Sequence, residues 1–147
     1  MSYKASVRGT GALIEIEIFD YENPLARNPD DASWLKAEVT AQIGPFSGAF
    51  RTSVTTYDIA ALGERTAEAL RSLSGQVSFE TTEGDLTLNI TFSSRGSAEV
   101  EGSLQPNGLS KAALQYRFET EPSALDEMVR GLKAVSERFP AKQIQRQ

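Results

Sequence analysis

This 147-residue chain contains neither histidine nor cysteine. Acidic side chains are therefore the main groups left that could bind a ligand or take part in a reaction. Imidazole bases, thiolate nucleophiles, zinc sites and iron–sulfur sites normally draw on one of those two residues. Carboxylates, hydroxyls, lysine and arginine could still support hydrolysis or magnesium chemistry, but no motif in the sequence spaces them for it. The residue types therefore predict a binding protein that is not an enzyme and has no cofactor.

One proline- and asparagine-rich segment concentrates four acids, Asp20, Glu22, Asp30 and Asp31. Such oxygen ligands suit calcium or magnesium, although the fixed spacing and central glycine of an EF-hand loop are missing. Aspartate and asparagine beside proline are equally typical of turns. We therefore expect a turn-rich loop without a metal.

The elements that must position these side chains follow from the hydrophobic periodicity. Ile14, Ile16 and Ile18 alternate with Glu15 and Glu17, which is typical of a strand with one buried face, and similar alternation recurs along the chain. Apolar residues at intervals of three and four predict one helix that begins after a capping box at Thr55, and a second from Leu125 to Phe139. The fold class predicted is α+β, with a single antiparallel β-sheet of about seven or eight strands and two α-helices packed on one face. We expect one domain over residues 1–140, followed by a polar tail at 141–147 that frays.

Covering one sheet face with helices leaves the other face to solvent. Among its predicted occupants the acids outnumber the bases six to three, and these acids are Glu15, Glu17, Glu38, Glu99, Glu101 and Glu119. An acidic surface of this kind suits a basic protein partner. The open alternative is that these residues only keep the domain soluble and prevent pairing between sheet edges.

Trp34 falls by alternation on the same polar face, directly after the acidic loop. Exposed tryptophans are enriched at binding sites because one rigid side chain supplies a large contact area. We therefore include Trp34, with Asp30 and Asp31, among the expected partner-binding residues. The alternative is that Tyr21, Pro24 and Leu25 pack over the indole ring.

Charge and hydropathy limit the classes of partner and compartment. Fifteen basic and twenty acidic residues give a net charge of -5, which repels nucleic acid and anionic membranes. No apolar run approaches the roughly 20 residues that span a bilayer, and the first residues lack the apolar stretch of a signal peptide. We expect a cytoplasmic protein, with an oligomeric state that the sequence leaves open.

Four short motifs resemble the WapI-family immunity proteins of bacteria: Asp20-Tyr21-Glu22-Asn23-Pro24, Asp31-Ala32-Ser33-Trp34-Leu35, Phe46-Ser47-Gly48 and Leu73-Ser74-Gly75. The resemblance runs from the first isoleucine strand to Phe139 and Pro140, and none of its motifs is catalytic. It implies a protein that binds and neutralises the toxic C-terminal domain of a polymorphic toxin, in many cases a nuclease.

Three functions remain open at this point. The first is a non-catalytic toxin inhibitor, which the acidity and the resemblance favour. The second is a small-molecule-binding or accessory domain, in which the long loop beside Trp34 covers a pocket. The third is an enzyme that uses paired carboxylates, for which no spacing singles out a pair.

Overall fold

The computed structural model of the protein describes residues 3–106 and 111–141, so the predicted tail lies, apart from Ala141, outside the described residues. The elements in chain order are β1 (Tyr3–Gly9), β2 (Ala12–Tyr21), α1 (Pro29–Ala32), β3 (Trp34–Ile43), β4 (Phe46–Thr55), α2 (Thr56–Ser72), β5 (Gln76–Glu80), β6 (Leu86–Phe92), β7 (Ala98–Leu104), β8 (Leu114–Thr120) and α3 (Pro122–Arg138). The two long helices were predicted, whereas the four-residue α1 was not.

The strands form two four-stranded antiparallel sheets, in the orders β1-β2-β3-β4 and β5-β6-β7-β8. The α+β class is therefore confirmed, and the prediction of one seven- or eight-stranded sheet is wrong. The two sheets meet where β1 and β8 approach: the Thr10 amide donates to the Glu119 carbonyl at 2.9 Å, and the Thr120 hydroxyl donates to the Arg8 carbonyl at 2.5 Å. Alternation indicates which face of a strand is buried but not which strands pair, so the sequence could not reveal this division.

The apolar faces of both sheets and of the two long helices contribute to one continuous core. Ile18 and Leu35 of the first sheet, Ile90 and Val100 of the second, and Leu125 of α3 are completely buried. Successive strand residues point to opposite faces, so each sheet keeps a second face turned toward solvent.

Helix α2 begins with the predicted capping box, in which Thr55 and Asp58 exchange side-chain-to-backbone hydrogen bonds of 2.9 and 3.0 Å. The same Asp58 carboxyl accepts hydrogen bonds from the amide of Thr82, at 3.2 Å, and from its hydroxyl, at 2.9 Å. Because Thr82 follows β5, one buried carboxyl fixes the start of the helix and attaches it to the second sheet.

A second buried carboxyl, that of Asp85, connects the two sheets directly. Its side chain accepts hydrogen bonds from the hydroxyls of Thr52 on β4 and of Thr81, the latter at 3.1 Å, and only 2% of the residue is exposed. Its backbone carbonyl accepts the amide of Gln105 at 2.9 Å. Because a buried carboxyl needs its hydrogen-bond donors within reach, these contacts favour one position of β4 relative to the second sheet.

Two helical glycines differ in what surrounds them. A Cβ atom on Gly131 of α3 would lie 2.8 Å from the Lys4 carbonyl oxygen and 3.0 Å from the Ala5 Cα, so α3 packs directly on the β1 backbone. A Cβ atom on Gly63 of α2 would meet the Leu132 Cβ at an ordinary 3.4 Å. Only Gly131 is therefore required for close helix-to-strand packing.

We predict that Asp85→Ala lowers the free energy of unfolding by about 2–3 kcal/mol, because two hydroxyl groups lose their acceptor in a buried setting. Urea unfolding followed by circular dichroism measures the change. The exposed Glu127→Ala on α3 is the control and should stay within about 0.5 kcal/mol of the wild type. A loss equal to that of the control would show that Asp85 does not hold the sheets together.

We predict opposite effects of alanine at the two helical glycines. Gly63→Ala should stabilise the protein by about 0.5–1 kcal/mol, because alanine loses less backbone entropy in a helix. Gly131→Ala should destabilise it by about 1–2 kcal/mol, because the added methyl pushes α3 away from β1. Thermal unfolding of both variants tests the packing, which stabilisation by Gly131→Ala would contradict.

Candidate functional site

The solvent-facing sides of the two sheets carry different charge, which the prediction of one acidic face did not anticipate. On the first sheet this side holds four basic and four acidic residues, namely Lys4, Arg8, Lys36, Arg51, Glu15, Glu17, Asp20 and Glu38. On the second sheet it holds one basic and four acidic residues, namely Arg117, Glu80, Glu99, Glu101 and Glu119. The negative charge is therefore concentrated on the second sheet.

We call the residues Glu99, Glu101, Arg117 and Glu119, on the outer side of β7 and β8, the acidic face. The strand register sets Glu101 directly opposite Arg117 and sets Glu99 directly opposite Glu119. Arg117 contacts both acids of β7, with its Nε 3.3 Å from a Glu99 oxygen and its Nη2 2.9 Å from a Glu101 oxygen. The hydrogen bond to Glu101, and then the charges of Glu99 and Glu101, raise the pKa of Arg117 above its ordinary value.

Glu119 forms no ion pair with any of the residues that the structure describes. It is exposed and lies across from the like charge of Glu99, and such cross-strand pairs of like charge reduce the stability of a sheet. Arg117 compensates the carboxylates of Glu99 and Glu101 only. The acidic face consequently retains negative charge that a cation from outside could neutralise.

Two of the three acids predicted on the first sheet form ion pairs with neighbouring basic residues. Glu38 contacts Arg51 at 2.9 Å, and Glu15 contacts Lys4 at 3.5 Å. Glu17 lies opposite Glu38 on the neighbouring strand. Exposed ion pairs of this kind add little stability, but they leave this side of the first sheet nearly balanced in charge.

Trp34 begins β3 and is half-buried. Of the three residues expected to cover its ring, Leu25 does not, because it is 90% exposed. Tyr21 packs its ring edge-to-face on Phe139 at 5.4 Å, and its hydroxyl donates to the Pro140 carbonyl at 2.7 Å. The loop is thus attached at Tyr21 to the end of α3.

Asp30 and Asp31 lie exposed in the short helix α1. The side-chain oxygen of Asn28 accepts the Asp31 amide at 2.8 Å, while its amide nitrogen donates to the Asp31 carboxyl at 2.7 Å. This helix cap confirms the turn interpretation of the loop. Within residues 3–106 and 111–141 no three acidic side chains come together as a metal site would require.

A groove of about 420 Å³ lies between α2 and α3, and the sequence analysis did not predict it. Small residues of α2, Ala60, Gly63 and Ala67, form one wall at helical spacing, and Val129 and Leu132 of α3 form the other. That spacing of small residues was the available clue. A second depression, of about 360 Å³, is lined by polar residues that include Glu22, Lys36 and Arg51, and Trp34 does not line it.

The strands of the acidic face are anchored from the buried side by Tyr116. Its phenol donates a hydrogen bond of 2.6 Å to the Thr87 carbonyl on β6, reaching across β7 at Gly102. A side chain at Gly102 would overlap both the phenol oxygen and that carbonyl. Burial raises the pKa of Tyr116 above its ordinary value of 10.0, so the phenol keeps its proton and its hydrogen bond.

Comparison of the sequence with known protein families identifies the family of this chain. The model of the immunity protein WapI-like family matches residues 7–140, which is most of the chain. No curated protein resembles the sequence closely enough to count as a match. None of the helices in the described part of the chain combines the length and the apolar character that crossing a membrane requires.

We predict that the protein loses stability above pH 10 partly through Tyr116. The folded state holds this phenol neutral, whereas the unfolded chain ionises it near pH 10, so unfolding becomes easier as the pH rises. One pH unit above that value the loss amounts to about 1.4 kcal/mol. Urea unfolding at pH 8 and pH 11 should show a smaller loss in Tyr116→Phe by about that amount. The exposed Tyr57→Phe should behave like the wild type, and equal losses in both variants would refute the assignment.

Proposed function

Because the chain belongs to the WapI-like immunity protein family, we propose that it binds a cognate bacterial toxin domain and neutralises it without catalysing a reaction. Binding would occur in the cytoplasm of the producing cell, where a toxin that acts on intracellular targets must be blocked. The absence of histidine and cysteine from the sequence supports an inhibitory rather than an enzymatic role.

We propose the acidic face as the surface that meets the toxin. The observation that carries this assignment is the excess of acids, with Glu99 directly opposite Glu119 and one arginine among three acids. The like-charge pair Glu17 and Glu38 of the first sheet differs, because Lys4 lies opposite Glu17 and Arg51 contacts Glu38. Like charges in the position of Glu99 and Glu119 cost stability in the isolated protein. A basic partner surface would relieve the repulsion, so the cost would be recovered in the complex.

The charge of the acidic face also suggests the class of toxin. Nucleases carry positive charge where they contact phosphates, and a negative surface attracts such a domain over a distance of about 10 Å at moderate salt. Complementary charge mainly accelerates association. We therefore infer a basic nuclease domain as the partner.

The remaining residues expected at the interface lie on other elements. Glu15, Glu17 and Glu38 belong to the first sheet, where basic residues offset them, while Trp34, Asp30 and Asp31 follow the loop after β2. We propose that these residues contribute less to toxin binding than the acidic face does.

One observation favours a second function, namely binding of a small molecule. The groove between α2 and α3 has a volume of about 420 Å³, within the range of small-molecule sites. Apolar residues of both helices line it together with the charged side chains Glu64, Glu68, Arg71 and Lys133. In that case the substitutions in the acidic face described below would leave function unchanged, whereas filling the groove would abolish it.

The role in immunity is tested by producing the toxin domain encoded by the neighbouring gene inside cells, with and without this protein. We expect growth arrest with the toxin alone and growth with both proteins, together with a complex that survives gel filtration. Continued arrest and no complex would reject the proposal.

The assignment of the surface is tested with Glu99→Gln and Glu119→Gln combined. We predict that the isolated protein gains about 0.2–1 kcal/mol of stability, because the like-charge pair is removed. Association with the toxin should slow about tenfold at low salt, since steering is weakened, and the difference should shrink as salt is added.

The matched control is Glu127→Gln with Glu137→Gln on α3, which makes the same change in net charge on exposed residues outside both the acidic face and the groove. Calorimetry and stopped-flow fluorescence measure stability and association. Equal association rates of the two double variants would show that the acidic face is not part of the interface. The growth assay tests the immunity role separately.

A further inference from the structure

The outer strands of the two sheets differ in how their free edges are protected. Helix α3 packs on β1 at Lys4, and the Arg8 carbonyl accepts the Thr120 hydroxyl. The Glu119 carbonyl of β8 accepts the Thr10 amide, and the Ser78 carbonyl of the short β5 accepts an Arg65 side chain at 3.2 Å. Unprotected strand edges invite pairing with another chain, so such covers are expected.

The first half of β4 lacks a cover of this kind. The two-residue loop Gly44-Pro45 makes Ile43 and Phe46 a hydrogen-bonded pair. Hydrogen-bonded and non-hydrogen-bonded pairs alternate along an antiparallel hairpin, so the backbone N–H and C=O groups of Ser47 and Ala49 point away from β3. The bond from the Thr56 amide to the Ser33 carbonyl, at 2.9 Å, agrees with this alternation at the other end of the hairpin.

These outward backbone groups have no hydrogen-bond partner among the residues that the structure describes. Ser47 and Ala49 are exposed, and the neighbouring Phe46 is 64% exposed. The far end of β4 differs, because the Thr55 amide donates to Asp58 at 2.9 Å, and the side chains of Arg51 and Ser53 contact Glu38 and Glu22. The open edge, which we define as Phe46–Phe50, is therefore a template for one more strand.

The sequence of the open edge is symmetric about its centre. It reads Phe-Ser-Gly-Ala-Phe, with a large residue at each end, small residues inside and Gly48 in the middle. A two-fold axis through Gly48 would set Phe46 opposite Phe50 of a second copy, and Ser47 opposite Ala49. The symmetry forms each of these pairs two times, once from each copy. A two-fold interface has to be self-complementary in this way.

We propose that the open edge pairs antiparallel with the open edge of a second copy of this chain. The first sheets of the two copies would then join into one sheet, with four strands from each copy. Two aromatic cross-strand pairs and the outward backbone groups of Ser47 and Ala49 hold the contact. The segment contains no charged residue that would oppose its own copy.

The chemistry of the two copies determines how strong the dimer is and how it responds to salt. A single strand pair buries less than the roughly 800 Å² per partner of a standard interface, so association is weak. Each copy carries a net charge of -5, and salt screens their repulsion, so the dimer strengthens as salt rises. This response is opposite to that of toxin binding at the acidic face. Among the strands that the structure describes, each copy offers the one open edge at Phe46–Phe50, so assembly through it ends at two copies.

Sedimentation velocity of the full chain, from about 10 µM to about 1 mM, tests the proposal. We expect a reversible monomer–dimer equilibrium that shifts toward dimer at higher salt. A monomer at every concentration, or assemblies larger than a dimer, would overturn it.

Two matched double variants test the pairing itself. Ser47→Lys with Ala49→Lys sets like charges across both pairs and should weaken the dimer about tenfold, even though the net charge of each copy falls in magnitude. Ser47→Glu with Ala49→Lys sets opposite charges at the same positions and should preserve the dimer.

Ala49→Pro removes an amide that the monomer does not use and should also weaken the dimer. Circular dichroism establishes that each variant is folded. Equal dimerisation of the two double variants, or an unchanged dimer in Ala49→Pro, would contradict pairing through the open edge.

Discussion

The relative position of the two sheets depends on two buried carboxyl groups that accept hydrogen bonds from threonines. Asp85 joins β4 to the segment between β5 and β6, and Asp58 joins the start of α2 to Thr82 after β5. Backbone pairing between the sheets is sparse, since β1 and β8 touch only near Thr10 and Glu119. Hydrophobic burial has no preferred direction, so the shared core alone would not fix the orientation of one sheet relative to the other. The hydrogen bonds of Asp85 and Asp58 fix it.

This orientation separates the solvent-facing sides of the sheets into surfaces with different character. The first sheet balances its charges within neighbouring strands, as in the contact of Glu38 with Arg51. The second sheet concentrates acids around a single Arg117. The excess of acids gives the second sheet a surface that a basic molecule would complement, whereas the first sheet has no such excess.

Local features of the fold were predictable because they depend on neighbouring residues. The capping box of Thr55 and Asp58 and the helix that ends near Pro140 follow from spacing in the sequence. The end of α2 was less readable from the sequence, since the helix ends at Ser72 and the exposed Leu73, a residue without glycine's freedom, adopts the left-handed conformation at φ 50°. Alternation placed the candidate acids of the strands on the solvent-facing sides, but their division between two sheets and the contact of Glu15 with Lys4 were missed.

The sequence by itself determined which side of each strand faces water, because side-chain alternation has a period of two and needs no partner. It also excluded histidine and cysteine chemistry, and it carried the motifs of an immunity protein family. Only the tertiary structure decided which acids lie together and which strand edge stays open. Both properties arise from contacts between residues far apart in the chain, such as Thr52 with Asp85, and no local pattern encodes such contacts.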